Sequence, residues 1–187
     1  MKVLKWIGIV LASLIVLPMI TLLIMGQRAN AGKTHASVEI AGSPEQVWAW
    51  IDDSNRLKQW VSWLVEVREP QPPQHAVGSP RTWVMKDENN GGMLLTLEGK
   101  LKEYAPPSRL TITLGSPQYQ FDGDETYRLT DLGNGRTRVD VDAKYHYAQW
   151  LANLMEPLVT PAAEKKTVGD LARLKSLVES KTEAQAR

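Results

Sequence analysis

Hydrophobic and polar positions follow three different patterns along this chain. Trp6 to Met25 is an uninterrupted run of uncharged, mostly apolar residues. From Thr34 to Tyr147, apolar residues mostly alternate with polar ones, which is the period of a half-buried β-strand. From Ala148 to Ser180, apolar residues recur at helical spacing. The patterns predict an apolar helix, a β-rich part and a long terminal helix.

The alternating part breaks into short strands at clusters of Gly, Pro and Asn. Asn89-Asn90-Gly91-Gly92 and Gly133-Asn134-Gly135 are typical of hairpin turns. Strands joined in this way form an antiparallel meander with one solvated face. The predicted strands are Thr34–Ile40, Val65–Glu69, Arg81–Lys86, Met93–Tyr104, Arg109–Leu114, Phe121–Leu132 and Thr137–Tyr147.

Two short helices are predicted between the first and second strands. Ser43 suits the N-cap of the first, Pro44 its first helical position, and Gln46 completes a capping box. Ser54 suits the cap of the second. This stretch holds four of the seven tryptophans, and we expect Trp48 and Trp60 to pack in the core. Trp50 and Trp63 lie off the main apolar faces, which leaves a ligand, a bilayer and solvent open for them.

The predicted terminal helix is the one element large enough to cover the sheet. Leu171, Leu174 and Val178 form one apolar stripe. Pro157 and Pro161 should kink or break the helix, because each removes a backbone donor. Residues 181–187 should form a polar tail. An earlier stripe of the same helix contains Leu151, Leu154, Met155 and Leu158.

The apolar run at the N-terminus predicts a membrane anchor. Its 20 residues would span about 30 Å as a helix, which is the thickness of a bilayer core. A cleaved signal peptide is the alternative, because Ala29-Asn30-Ala31 has the form of a cleavage site. Residues 1–32 are thus an anchor or signal peptide with its linker. Either interpretation makes this a membrane-directed chain whose domain is extracytoplasmic, and periplasmic in a bacterium.

Composition excludes several classes of function. The 187 residues carry a net charge of +1, which gives no electrostatic footprint for nucleic acid. There is no cysteine, and the histidines His35, His75 and His146 lack ligand spacing, so neither a metal site nor a cofactor is expected. The oligomeric state remains open.

The stretch IAGSPEQVWAWIDDSNRLKQWVSWL, the hairpin LTDLGNGRTRVDVDAKY and the helix LARLKSLVE resemble the SRPBCC superfamily. The resemblance covers about residues 34–180. It implies a domain over residues 33–180 with an α+β, Bet v 1-like helix-grip fold, in which a curved antiparallel sheet surrounds a long C-terminal helix. The superfamily includes START-like lipid carriers and the polyketide cyclase/dehydrase group.

The resemblance also implies a cavity between sheet and helix for a lipid or another hydrophobic small molecule. For the aliphatic residues among the candidates, ordinary core packing is the alternative. The candidate lining residues are Trp83, Leu95, Leu97, Ile112, Tyr127, Val141, Tyr145, Met155, Leu171 and Leu174.

Glu125 is the candidate for catalysis, because it shares the parity of Tyr127 along its strand. A carboxyl group in an apolar cavity would suit a general acid or base. The interpretation we favour from sequence is a solvated strand start at Asp122–Glu125, without catalysis. Three hypotheses follow: a membrane-anchored binding module, a cyclase/dehydrase-like enzyme using Glu125, Tyr127 or Tyr145, and an interaction domain with a filled core.

Overall fold

The computed structural model describes residues 2–26, 32–87 and 91–185 of the chain. The predicted cleavage site at residues 29–31 and the first residues of the turn at 89–92 lie outside them. The helices and strands in chain order are α1 (Lys2–Gly26), β1 (Gly32–Ala41), α2 (Pro44–Asp52), α3 (Ser54–Trp60), β2 (Leu64–Arg68), β3 (Pro80–Asp87), β4 (Met93–Ala105), β5 (Arg109–Ser116), β6 (Phe121–Gly133), β7 (Arg136–Tyr147) and α4 (Trp150–Gln185).

Seven strands of the described residues form one antiparallel sheet in the order β1-β7-β6-β5-β4-β3-β2. The first strand is therefore next to the last, with Val38 opposite Val139. Helix α4 packs against the sheet at β1 and β7, and α2 and α3 close one end. The predicted α+β helix-grip architecture is confirmed.

The two short helices begin as local hydrogen bonding dictates. The capping box of α2 is confirmed, since the Ser43 side chain accepts from the Gln46 backbone and the Gln46 side chain accepts from the Ser43 backbone. The predicted cap of α3 is wrong. Asp53 caps this helix, accepting from the N–H of Asn55 at 2.7 Å and of Arg56 at 3.2 Å. A carboxylate there also favours the positive end of the helix dipole.

Helix α4 continues through Pro157 and Pro161 to Gln185. Of the predicted kink or break, the break is therefore wrong, and residues 181–185 of the predicted tail are helical. Both prolines are exposed, and the helical turns around them continue although each proline removes one backbone donor. The stripe of Leu171, Leu174 and Val178 is buried as predicted.

The earlier stripe of α4 is not buried. Leu151 is 51% exposed and Met155 is 44% exposed, whereas Asn153 and Glu156 are buried. The side chain of Leu158 lies outside the described ones. This part of α4 lies beside the cavity, so it has no packed core beneath it to bury a full apolar stripe.

The tryptophans of α2 and α3 hold the closed end together. Trp48 and Trp60 are buried as predicted, and the Trp48 ring meets Tyr104 edge-on with centroids 5.7 Å apart. The Trp60 indole N–H donates to the backbone oxygen of Trp50 at 2.9 Å. Trp50 is itself buried, beneath the cationic groups of Arg56 and Lys181.

The predicted anchor, residues 6–25, falls within α1. The side chains of residues 7–12 and 25 lie outside the described ones. Among the residues that the structure describes, no helix meets both the length and the hydropathy required to cross a membrane.

Candidate functional site

A cavity of about 610 Å³ lies between the sheet and the first two-thirds of α4. Its walls are mostly apolar. Strands β3 to β7 form one wall, α3 closes one end, and α4 covers the top with Val159, Ala162 and Ala163. Its size is within the range of protein sites for small organic ligands.

Eight of the ten predicted lining residues meet in this cavity. Trp83, whose orientation the sequence leaves open, is among them. Met155 does not line the cavity, because its side chain points largely to solvent. Leu174 does not line it either, because it is fully buried in the core. The eight residues are Trp83, Leu95, Leu97, Ile112, Tyr127, Val141, Tyr145 and Leu171.

Glu125 is the centre of the polar part of the cavity, which corrects the solvated strand start favoured from sequence. The Tyr127 hydroxyl donates to Glu125 Oε1. The Tyr145 hydroxyl donates to Glu125 Oε2 at 3.3 Å. We call these three residues the Tyr–Glu–Tyr cluster. The strand beginning at Phe121 is regular and paired on both sides, so parity alone directs Glu125 inward.

Gly123 makes room for this cluster. It lies opposite Tyr145 in the register of β6 and β7. A Cβ atom at Gly123 would lie 2.6 Å from Tyr145 Cδ1 and 2.3 Å from the backbone oxygen of Lys144. Only glycine therefore lets the Tyr145 ring lie across β6 towards Glu125.

Burial sets the electrostatics of the cluster. It raises the pKa of Glu125, against the lowering effect of the two tyrosine hydroxyls, and the nearby charge of Asp170 raises this pKa further. The pKa values of Tyr127 and Tyr145 lie well above the ordinary value, first because of burial and then because of Glu125. Both tyrosines are thus uncharged hydroxyl donors at neutral pH.

Asp170 on α4 is a second cavity carboxyl that sequence reasoning missed. It is 5% exposed and accepts from the backbone N–H of Ser62 at 3.0 Å. Burial raises its pKa, and the Ser62 hydrogen bonds and the charges of Arg173 and Lys166 lower it. The sequence does contain a signal that Asp170 faces inward, because it precedes the apolar Leu174 by one helical turn and lies on the same face of the helix.

Aromatic residues of α3 and the loop after it were also missed as lining. Trp60 is both core and cavity wall, and its ring meets Tyr127 edge-on at 6.5 Å. Trp63 lines the cavity too, with Lys166 Nζ 4.4 Å from its ring centroid. Of the three environments left open for Trp63, the structure places it at the cavity.

The opposite face of the sheet carries a depression of similar volume but polar character. Its lining includes Lys33, Glu98, Lys102, Asp124 and His146. His146 is a surface residue as predicted, 3.5 Å from an Asp122 carboxylate oxygen. Charged residues of both signs alternate there, as expected for a solvated sheet face.

Asp52 has a structural rather than a catalytic environment. Tyr104 donates its hydroxyl proton to Asp52 at 2.9 Å, and His75 Nδ1 lies 3.2 Å from the other oxygen. Burial, followed by Asp52, raises the pKa of Tyr104 to about 12. These contacts tie α2 to β4 and to the loop before β3. In the described part of the chain, no three His, Cys, Asp or Glu side chains converge as metal ligands.

A family model described as polyketide cyclase / dehydrase and lipid transport matches residues 31–179. The chain belongs to this family, and with it to the SRPBCC type of domain that the sequence resembles. A search of curated proteins found no match.

Solved structures with the same fold come from several bacteria. A Chromobacterium violaceum protein is 16% identical with a TM-score of 0.64, and the match covers 79% of this chain and 97% of that one. A conserved protein of Geobacillus kaustophilus is 10% identical with a TM-score of 0.64, covering 78% and 94%. A Thermus thermophilus protein is 18% identical with a TM-score of 0.61, covering 78% and 96%. At these identities the likeness concerns the fold alone.

Proposed function

We propose that this protein binds a lipid or another apolar small molecule in the cavity under α4. The observation that carries the proposal is the cavity itself, about 610 Å³ with aromatic and aliphatic walls, in a chain of a family described in part by lipid transport. A void of this size lined by apolar groups is costly to leave without contacts, which favours an apolar occupant. The hypothesis of a filled core is at odds with it.

An enzyme of the cyclase/dehydrase kind is the second candidate, and the Tyr–Glu–Tyr cluster favours it. A half-buried carboxyl in the cavity wall with a raised pKa can exchange a proton with a bound ring, and the family description includes cyclases and dehydrases. In this candidate Glu125 is the acid or base, and Tyr127 and Tyr145 orient it.

We also propose that residues 6–25 hold the domain at a membrane, on its extracytoplasmic side. This proposal rests on the 20 uncharged residues and on the exposure of the described apolar side chains of α1, such as Leu14, Leu17 and Ile24. Tethering would raise the effective concentration of a membrane-derived ligand at the cavity. Protease protection of the tagged domain in intact and permeabilised cells tests both the location and the orientation.

The binding proposal is tested by native mass spectrometry of the full chain purified from its host. We expect a co-purified apolar molecule. Ala163→Phe places a ring at the cavity wall and should reduce its occupancy at least several-fold, because the ring takes the ligand's volume. Ala172→Phe is the matched control, on the exposed face of the same helix. Equal occupancy in both variants would refute binding in this cavity.

A further inference from the structure

The hydrogen-bond donors around Glu125 are already used within the protein. Tyr127 and Tyr145 both donate to the Glu125 carboxyl, one to each oxygen. Each hydroxyl has one proton to give, so when Glu125 is ionised what remains for a ligand at this cluster is lone pairs on oxygen. A ligand group that meets the cluster therefore needs a proton to donate.

Other donors along the nearby wall are also satisfied internally. The Trp60 indole N–H donates to Trp50, and the Thr167 hydroxyl donates to the backbone oxygen of Ala163 at 3.2 Å. Lys166 differs from these two, because its ammonium group lies over the Trp63 ring at the cavity wall and keeps N–H donors of its own. A carbonyl group beside Trp60 and Thr167 would therefore lose its hydration without gaining a hydrogen bond from either side chain.

The charges at the Tyr–Glu–Tyr cluster disfavour an anionic head group there, whereas the cationic Lys166 lies beside Trp63 at the cavity wall. Glu125 and Asp170 both line the cavity, and they are close enough for Asp170 to act on Glu125. A ligand carboxylate placed at the cluster would either be repelled by these groups or have to bind with a proton. A cationic head group would lose its hydration among aromatic and aliphatic walls and would be repelled by Lys166, which also lines the cavity.

From this arrangement we propose that the cavity selects an apolar molecule with a neutral hydroxyl group, and that this hydroxyl group donates a hydrogen bond to the Glu125 carboxylate. Molecules of the same size that carry only a carbonyl group, or a carboxylate, bind less tightly. The inference rests on the proposed binding function and narrows the class of ligand for the same cavity.

The test compares four probes with similar alkyl chains: n-octanol, methyl hexyl ketone, octanoate and octylamine. Each is titrated calorimetrically into the full chain held in lipid nanodiscs, at a pH where octanoate is ionised. We expect n-octanol to bind about tenfold more tightly than the ketone and the carboxylate, which is the effect of one hydrogen bond to a buried charged or polar acceptor. Partition of each probe into the nanodisc is subtracted with empty discs.

Glu125→Gln sharpens the test, because an amide brings two N–H donors to the position of a carboxyl. In this variant the ketone should gain affinity and the preference for n-octanol should disappear. Glu98→Gln is the matched control on the outer face of the sheet. It should keep the wild-type ratio of the affinities for n-octanol and the ketone. If Glu125→Gln has the same ratio of affinities for n-octanol and the ketone as the wild type, the assignment of Glu125 as the hydrogen-bond acceptor is contradicted.

The wild-type protein alone can overturn the proposal, whatever the stability of the variant. If the ketone binds as tightly as n-octanol, or if octanoate or octylamine binds more tightly, the inferred head group is wrong while the binding function stands. If none of the four probes binds, the binding function fails, and the inference fails with it.

Discussion

The two parts of α4 belong to different environments. Residues 170–185, the packed part, lie on the core: Leu171, Leu174 and Val178 are each at most 2% exposed. Residues 150–169, the cavity-covering part, lie over the cavity, and Leu151, Val159 and Val168 are each about half exposed. One continuous helix thus combines a segment that packs on the hydrophobic core with a segment that covers the cavity and buries few of its apolar side chains.

Polar contacts strengthen the difference. The packed part is tied to β1 by Glu179, which accepts from the Ala41 N–H at 2.9 Å, and by Lys175, which donates to the Glu39 carbonyl at 2.8 Å. Asp170 ties the junction to the loop after α3. The stability of the domain and the properties of the cavity are therefore located at different ends of one helix. Substitutions at the two ends should affect different measurements.

Leu174→Ala should have the largest effect on stability. Leu174 is fully buried, so the lost methyl groups leave a cavity, and we expect a loss of about 2–5 kcal/mol in the free energy of unfolding. Leu151→Ala is the matched control in the cavity-covering part, and it should lower the free energy of unfolding by no more than about 0.5 kcal/mol. Urea denaturation followed by circular dichroism measures both. Equal losses would contradict the division of α4.

Gly123→Ala tests the cavity wall rather than the core. The new methyl group would collide with Tyr145 and with the Lys144 carbonyl, so the strands must shift, at a cost of about 1–3 kcal/mol. The Tyr145 hydroxyl should also lose its contact with Glu125. Chemical shifts of the Tyr145 ring, read by NMR, would report this displacement. Unchanged shifts together with unchanged stability would show that the wall is less tightly constrained than described.

The pH dependence of stability tests the polar part of the cavity. Burial raises the pKa of Glu125 above its ordinary value of 4.5, so the folded state binds the proton more tightly than the unfolded state. Stability from this residue is fully present below pH 4.5 and is lost as pH rises through the raised pKa. A tenfold difference in proton affinity corresponds to about 1.4 kcal/mol.

Glu125→Gln should therefore reduce the decline in stability above pH 4.5, measured as urea midpoints across pH. Asp170, whose pKa is also raised, acts in the same direction and should maintain part of the decline in that variant. Glu98→Gln, on the outer face, should leave the decline as in wild type. A Glu125→Gln profile identical to wild type would mean that burial does not shift this carboxyl.

Gly169→Ala should have the smallest effect and the opposite sign. Gly169 lies at the junction of the two parts of α4, and an added Cβ meets no atom within 4 Å. Alanine in a helix interior is favoured over glycine by about 0.5–1 kcal/mol, so the variant should be more stable by that amount. Slower amide hydrogen exchange in residues 150–169 would show that the junction stiffens the cover. Destabilisation would imply a contact that the structure does not contain.

The elements that sequence patterns predict well are those with local causes. The capping box at Ser43 depends on residues three positions apart, and the alternation from Arg136 to Tyr147 depends on strand geometry alone. Both could be read without knowledge of the tertiary structure. The apolar stripe at Leu171, Leu174 and Val178 is equally predictable, because the residues at helical spacing are also the ones that are buried.

The features that were missed depend on where the core ends. Leu151 and Met155 have the spacing of a buried stripe, but no core lies beneath that part of α4. Glu125 has the parity of a lining residue, but its sequence context of Asp122 and Asp124 favoured solvent. Periodicity identifies an inward face, and only the tertiary structure shows whether that face meets packed side chains or a hollow.

The pairing of β1 with β7 has a consequence for how the chain is made. Val38 lies opposite Val139 in the register of the two strands, roughly 100 residues further along the chain. During translation β1 leaves the ribosome as a β-forming segment with an unmatched edge, and that edge has no native partner until β7 has been synthesised. Completion of the sheet is therefore a late, non-local event, and the nascent domain needs protection from association throughout that interval.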